Sequence, residues 1–148
     1  MNNTLLIVLC SVGILASGCS KSHTGDSATA QKPESAILQG TWIGQEVGGN
    51  AQGSPSLTVS GTNMEFHGEN PQEWYKATFT LREDTTPKQL EAVLTECPFP
   101  QYVGKTGHAI YKIEGGKLTL TGNEPGNPAV PASFDAQGAR QFVFAVKQ

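Results

Sequence analysis

The stretch GHAIYKIEGGKLTLTG, residues 107–122, decides the fold class of this chain. Two segments in which apolar and polar side chains alternate flank a Gly-Gly pair at 115–116. Alternation with period two is typical of a strand with one buried face, and the two glycines supply the positive φ angles that a tight two-residue turn requires. The stretch therefore predicts a β-hairpin in which Tyr111 faces Leu120.

The same alternation extends on both sides of this hairpin. Residues 73–83 (EWYKATFTLRE) place Tyr75 and Phe79 on one face, and residues 140–147 (RQFVFAVK) do the same with Phe142 and Phe144. Shorter segments of this kind and the turn residues between them bring the total to about eight antiparallel strands. Because closure removes exposed sheet edges, we expect an all-β fold, a small up-and-down β-barrel over residues 37–148.

Residues 86–97 (TPKQLEAVLTEC) allow two interpretations. Thr86 is a candidate helix N-cap, with Pro87 in the first turn, and Leu90, Val93 and Leu94 would then share a helical face. A continuous β-meander, however, needs a strand here to pair with its neighbours on both sides. We predict a strand on that topological ground.

Two resemblances support a barrel. Gly40-Thr41-Trp42 resembles the G-x-W that opens the first strand of lipocalin-like barrels, in which the tryptophan plugs one end beneath a basic residue. The resemblance implies that Arg140, at the start of the last strand, stacks on Trp42. Residues 37–147 also resemble an uncharacterised small domain of planctomycetes and similar bacteria. The shared motifs are, in chain order, L-x-G-x-W, then I-Y-x-hydrophobic followed by a tight turn and L-x-L, and finally P-x-x-F. That family has no established activity.

The N-terminal segment is typical of an exported protein. Residues 5–16 are apolar and uncharged, which is too short for a membrane span but fits the core of a signal peptide. The small residues 16–18 and then Cys19 resemble the lipobox of bacterial lipoproteins. That resemblance implies a signal peptide over residues 1–18, cleavage between Gly18 and Cys19, and lipid with its acyl chains (palmitate) on Cys19. Ser20 in the next position implies the periplasmic face of the outer membrane.

An ordinary signal peptide, with Cys19 incidental, is the alternative. Residues 19–36 contain almost no large apolar side chains, so we predict a lipidated N-terminus and flexible tether ahead of the barrel. The membrane is then a partner through the lipid alone.

Composition excludes some classes of function. The formal net charge is −3 and the ten Lys and Arg residues are scattered, so we predict no nucleic-acid partner. Cys97 has no partner for an intrachain disulfide if Cys19 is lipidated. Glu65, His67 and Glu69 alternate along one strand and could in principle hold zinc, but a solvated outer face explains them without a metal. We predict no metal, no cofactor and no enzymatic activity.

The remaining prediction is a binding role. Phe79, Tyr111, Phe142 and Phe144 are expected to line the barrel interior, which either holds a small apolar ligand or is filled by these side chains. The alternative is a protein-interaction module, such as a scaffold or a periplasmic protease inhibitor, whose protein partner the sequence does not identify. An enzymatic function would rest only on Cys97 and the Glu65, His67 and Glu69 set.

Overall fold

A computed structural model describes residues 31–49 and 53–148. The predicted signal peptide, Cys19 and most of the predicted tether lie outside the described residues. Within the described residues the chain forms one short helix and eight strands, with a single 3-10 turn at Pro100–Tyr102. The elements, in chain order, are α1 (Glu34–Ile37), β1 (Gly40–Glu46), β2 (Ser56–Ser60), β3 (Asn63–His67), β4 (Trp74–Arg82), β5 (Lys88–Glu96), β6 (Thr106–Glu114), β7 (Lys117–Gly122) and β8 (Arg140–Val146).

The eight strands form a closed antiparallel barrel in which each strand pairs with its neighbours in sequence and β8 pairs with β1. The predicted all-β, up-and-down barrel is confirmed. Lys88–Glu96 is a strand, as the topological argument predicted, and it pairs with β4 and β6. The predicted hairpin is also confirmed, with Tyr111 opposite Leu120 and positive φ angles at Gly115 and Gly116.

The connections divide the barrel into two unlike ends. The short connections, the start of β1 and the end of β8 lie at one end, which we call the closed end. The longer connections lie at the other end, which we call the mouth. The connections at the closed end are residues 61–62, 83–87 and 115–116. The described connecting residues at the mouth are 47–49, 53–55, 68–73, 97–105 and 123–139.

Closure of the barrel depends on a close approach between β1 and β8. Gly44 lies opposite Phe144 in this pair. A Cβ atom at residue 44 would stand 2.2 Å from the carbonyl oxygen of Val143 and 2.8 Å from the Cα of Phe144. Only glycine lets the two backbones come this near, so Gly44 is the residue that allows the last strand to meet the first.

Large side chains fill the closed end. Trp42, Tyr111, Leu118 and Phe144 are each 1% exposed. The indole N–H of Trp42 donates a hydrogen bond of 2.8 Å to the carbonyl oxygen of Leu38, just after α1. A buried indole usually finds such a partner, because an unpaired N–H in an apolar interior is costly. Trp42 therefore forms part of the floor of the barrel and holds the chain before β1 against it.

Helix α1 is anchored to the same end by Glu34. The Glu34 carboxylate accepts hydrogen bonds from the Tyr111 hydroxyl, at 2.7 Å, and from the Lys88 ammonium group. The side chain of Glu34 is only 12% exposed. The contacts of the barrel thus extend to Glu34, three residues before the predicted boundary at residue 37.

We expect Glu34 to make stability depend on pH. Burial raises its pKa, but the hydrogen bonds from Lys88 and Tyr111 and the charge of Lys88 outweigh burial, so the net pKa is lowered. A carboxyl group whose pKa is lower in the folded state stabilises the fold above its unfolded pKa, about 4.3, and loses that contribution as pH falls through the folded value. Urea unfolding of Glu34→Gln at pH 7 and pH 3 should therefore show a smaller loss of stability on acidification than the wild type.

The matched control for this prediction is Glu114→Gln, which removes an exposed carboxylate at the same end. It should keep the wild-type dependence on pH. If Glu34→Gln loses as much stability on acidification as the wild type, the ion pair does not carry the dependence.

Candidate ligand-binding cavity

A cavity of about 460 Å³ lies inside the barrel above this filled end and opens at the mouth. This volume falls within the range of roughly 300–1,000 Å³ that is common for small-molecule sites. The deeper part of the wall is aliphatic and aromatic. Its larger side chains are Leu57, Met64, Phe66, Leu90, Leu120 and Phe142.

The cavity exists because small residues occupy interior positions on four adjacent strands. Ala77 on β4, Ala92 on β5, Ala109 on β6 and Gly122 on β7 all line it. Successive residues of a strand point to opposite faces, so each of these positions directs a methyl group or a hydrogen into the barrel. Nearer the closed end the inward positions of the same strands carry larger residues, for example Phe79 and Tyr111, and the space is filled.

An aromatic row runs along one side of the interior toward the mouth. The rings of Phe142 and Phe66 meet edge to face with centroids 5.1 Å apart, and Tyr75 stacks on Phe66 at 6.1 Å. Phe99 follows at 6.4 Å from Tyr75, and Tyr102 at 6.0 Å from Phe99. These separations are those of interacting aromatic pairs. The row links the apolar interior to the connection formed by residues 97–105.

Of the four residues predicted to line the interior cavity, only Phe142 does so. Phe79, Tyr111 and Phe144 are buried in the core instead, and the prediction that they line a cavity is wrong. Tyr111 and Phe79 approach the short connections of the closed end, and Phe144 pairs with β1 near the floor. The barrel is therefore filled at one end and hollow at the other.

The predicted stack of Arg140 on Trp42 is also wrong. Trp42 pairs with Val146 at the end of β8, whereas Arg140 begins β8 and pairs with Gly122. In an antiparallel pair the start of one strand lies beside the end of the other, so Trp42 and Arg140 lie at opposite ends of the barrel. The Arg140 guanidinium instead lies 5.0 Å from the centroid of the Phe142 ring, within cation–π range.

Arg140 is held by two carboxylates at the mouth. Its Nε donates a hydrogen bond to Oε1 of Glu46 and its Nη2 donates one to Oε2, both at 2.8 Å. Nη1 and Nη2 also donate to the carboxylate of Glu73. The hydrogen bonds from Arg140 lower the pKa of Glu46, while the same bonds raise the pKa of Arg140. At their formal charges, the two carboxylates and the guanidinium together carry one net negative charge.

Two tyrosines and one carboxylate add polar groups to the lining, which also includes His108 and Asn123. The Tyr102 hydroxyl donates a hydrogen bond to Glu124, and this bond raises the pKa of Tyr102. Burial raises the pKa of Tyr75, with a further contribution from the negative charge of Glu73. Both phenols are therefore neutral hydrogen-bonding groups. Tyr75, Tyr102 and Glu124 all line the cavity.

The sequence did not predict this polar group as a site. The inward position of Tyr75 follows from the alternation along β4. Tyr102 and Glu124, however, lie in separate connections, and no local pattern indicates that they meet. The strand order of the meander could have predicted this meeting, because it brings residues 97–105 and 123–139 to the same end of the barrel.

The other candidate residues do not converge on the cavity. The Cys97 thiol donates to the carbonyl oxygen of Phe99 at 3.0 Å. Glu65 and His67 lie on β3, with 2.8 Å between His67 Nε2 and Glu65 Oε1, and both side chains are largely exposed. Within residues 31–49 and 53–148, no group of three His, Cys, Asp or Glu side chains is placed to hold a metal ion.

Comparisons with known proteins leave the family open. In the described part of the chain, no helix has the length and apolar character to cross a membrane. No family model matches the chain, and no curated protein or solved structure is significantly similar to it. The resemblances to bacterial lipoproteins, to lipocalin-like barrels and to the planctomycete domain therefore stay predictions.

Proposed function

We propose that this protein is a lipid-anchored cell-envelope protein that binds a small apolar ligand inside its barrel and catalyses no reaction. The observation that carries the proposal is the cavity, with walls of Leu, Met, Phe and Ala side chains and an opening at one end. An eight-stranded barrel whose interior were packed throughout would have no room for a ligand. Here Trp42, Phe79, Tyr111 and Phe144 fill only the closed end.

The cavity wall is mostly apolar with a few polar side chains, and this composition favours binding over catalysis. Ligand sites are mostly apolar with a few polar groups that fix orientation, and the polar groups here gather at the mouth. The charged residues in the lining are Arg140 and Glu124, and both already have partners in the protein. A catalytic acid, base or nucleophile would instead face the reacting atoms.

The proposed ligand site is tested by titrating an uncharged apolar fluorescent dye, such as an N-phenylnaphthylamine, into the purified protein. We expect saturable binding of one dye molecule per chain in the native state. Native mass spectrometry of protein from a bacterial envelope then identifies any ligand that copurifies. If neither experiment gives stoichiometric binding, the barrel is not a carrier and protein partners become the better hypothesis.

The proposed anchor rests on the sequence around Cys19. A thiol at this position can take a thioether-linked lipid, and at least two acyl chains are needed for stable attachment to a membrane. In a bacterial host fed an alkyne-labelled palmitate, the wild-type chain should incorporate the label and fractionate with membranes. Cys19→Ser should incorporate none, whereas Cys97→Ser should label as the wild type does. Equal labelling of Cys19→Ser and the wild type would contradict the anchor.

A further inference from the structure

We infer that the ligand carries a positively charged ammonium group, which lies at the mouth while the rest of the ligand enters the cavity. The inference rests on the proposed function, since it names the chemical class of the ligand for the same cavity. Its basis is the charge and the aromatic character of the groups that surround the opening.

The charges at the mouth sum to a negative value. The described residues of the four connections at the mouth include four carboxylates, Glu69, Glu73, Glu124 and Asp135, and one cation, Lys105; Glu46 and Arg140 at the adjoining strand ends cancel, so the formal charges sum to −3. A cationic group on a ligand in the opening would therefore meet a net attraction, and an anionic group would meet a net repulsion.

Arg140 is not available to bind the carboxylate of a fatty acid. Its Nε, Nη1 and Nη2 all donate to Glu46 or Glu73, so four hydrogen bonds within the protein already use its donors. A guanidinium has five N–H groups, which leaves at most one free. An anionic ligand would have to displace one of these two carboxylates, and the displaced carboxylate would then add to the repulsion.

Aromatic rings stand beside this negative charge. Tyr75, Phe99 and Tyr102 form the outer half of the aromatic row, and Glu124 is bonded to the Tyr102 hydroxyl. The faces of aromatic rings attract cations, and quaternary ammonium groups are commonly bound by several such rings. Aromatic rings next to a carboxylate suit an alkylammonium group, while the apolar cavity below them suits its hydrocarbon tail.

The test compares three probes with the same hydrocarbon tail: decyltrimethylammonium, decanol and decanoate. Binding of each probe is measured by isothermal titration at pH 8 and below the micelle concentration of that probe. We expect the ammonium probe to bind at least about tenfold more tightly than decanoate, with decanol between them. The difference should shrink as salt is raised, because salt screens charges at a partly exposed site.

Variants locate the effect at the mouth. Glu124→Gln should reduce the preference for the ammonium probe over decanoate by about threefold or more, since it removes one nearby charge. Tyr102→Leu should also reduce it, because it removes a ring. Glu114→Gln is the matched control, since it removes an equal charge at the closed end, and it should leave the preference unchanged.

The outcomes separate this inference from the proposed function. If decanoate binds as tightly as the ammonium probe or more tightly, the inference is overturned while the apolar cavity remains a binding site. The inference is also overturned if Glu114→Gln lowers the preference as much as Glu124→Gln does. If none of the three probes binds, the proposed function itself fails.

Discussion

Replacement of Trp42 by alanine is expected to remove most of the stability of the barrel. Trp42 is 1% exposed and belongs to the floor of the core. Truncation of a buried Trp to Ala typically costs about 3–5 kcal/mol. It also leaves the carbonyl oxygen of Leu38 without the indole donor at 2.8 Å. The total stability of a domain is only about 5–15 kcal/mol, so a large share would be lost.

Urea unfolding followed by far-ultraviolet circular dichroism measures this loss without relying on the fluorescence of the removed residue. Trp42→Phe separates packing from hydrogen bonding, because it keeps an aromatic ring and removes the N–H; we expect a cost of about 1–3 kcal/mol. Trp74→Ala is the matched control, since the second tryptophan is only partly buried on β4. It should cost about 1 kcal/mol or less. Equal losses for Trp42→Ala and Trp74→Ala would show that Trp42 is not the floor we describe.

Replacement of Ala92 by tryptophan is expected to abolish binding of an apolar ligand while the barrel stays folded. Ala92 lies on β5 and lines the cavity, so an indole at this position would occupy the space that a ligand uses. Displacing about 100 Å² of apolar ligand surface costs about 2.5 kcal/mol at roughly 25 cal/mol per Å², which is about a 60-fold loss of affinity. The cavity can accept the added side chain, so we expect stability to change by only about 1 kcal/mol.

The adjacent residue supplies the control. Val93 follows Ala92 on the same strand, points to the outer face and is 42% exposed. Val93→Trp places the same indole outside the barrel and should leave the affinity for the apolar dye unchanged. Wild-type affinity of Ala92→Trp, with its fold intact by circular dichroism, would place the ligand elsewhere on the protein.

The fold was predictable because period-two alternation and turn residues agree along almost the whole barrel. The strand at Lys88–Glu96 shows where local patterns were insufficient, since a helix-start pattern precedes it and its apolar residues also suit a helical face. Pairing decides the structure there, because this segment has partners on both β4 and β6. A tertiary requirement of this kind overrides local propensity.

The site was less predictable because its location depends on which end of each strand faces the opening. The alternation along the strands indicates which aromatic residues point inward, but not which end of the barrel each of them occupies. The lengths of the connections distinguish the two ends of the barrel. The Gly-Gly turn at 115–116 follows Tyr111 closely, so Tyr111 lies at the end with short turns. The error on Arg140 has the same origin, because both it and Trp42 lie near the start of a strand. In a closed meander those two starts face opposite ends.

Both ends of the described domain emerge beside the floor of the barrel. The amide of Lys147 donates to the carbonyl oxygen of Thr41, and α1 precedes β1 at the same end. The protein can therefore be immobilised through a tag after Gln148 on a biosensor chip with its opening turned toward the solution. Coupling through residues 123–139 would instead press the opening against the chip and mask binding.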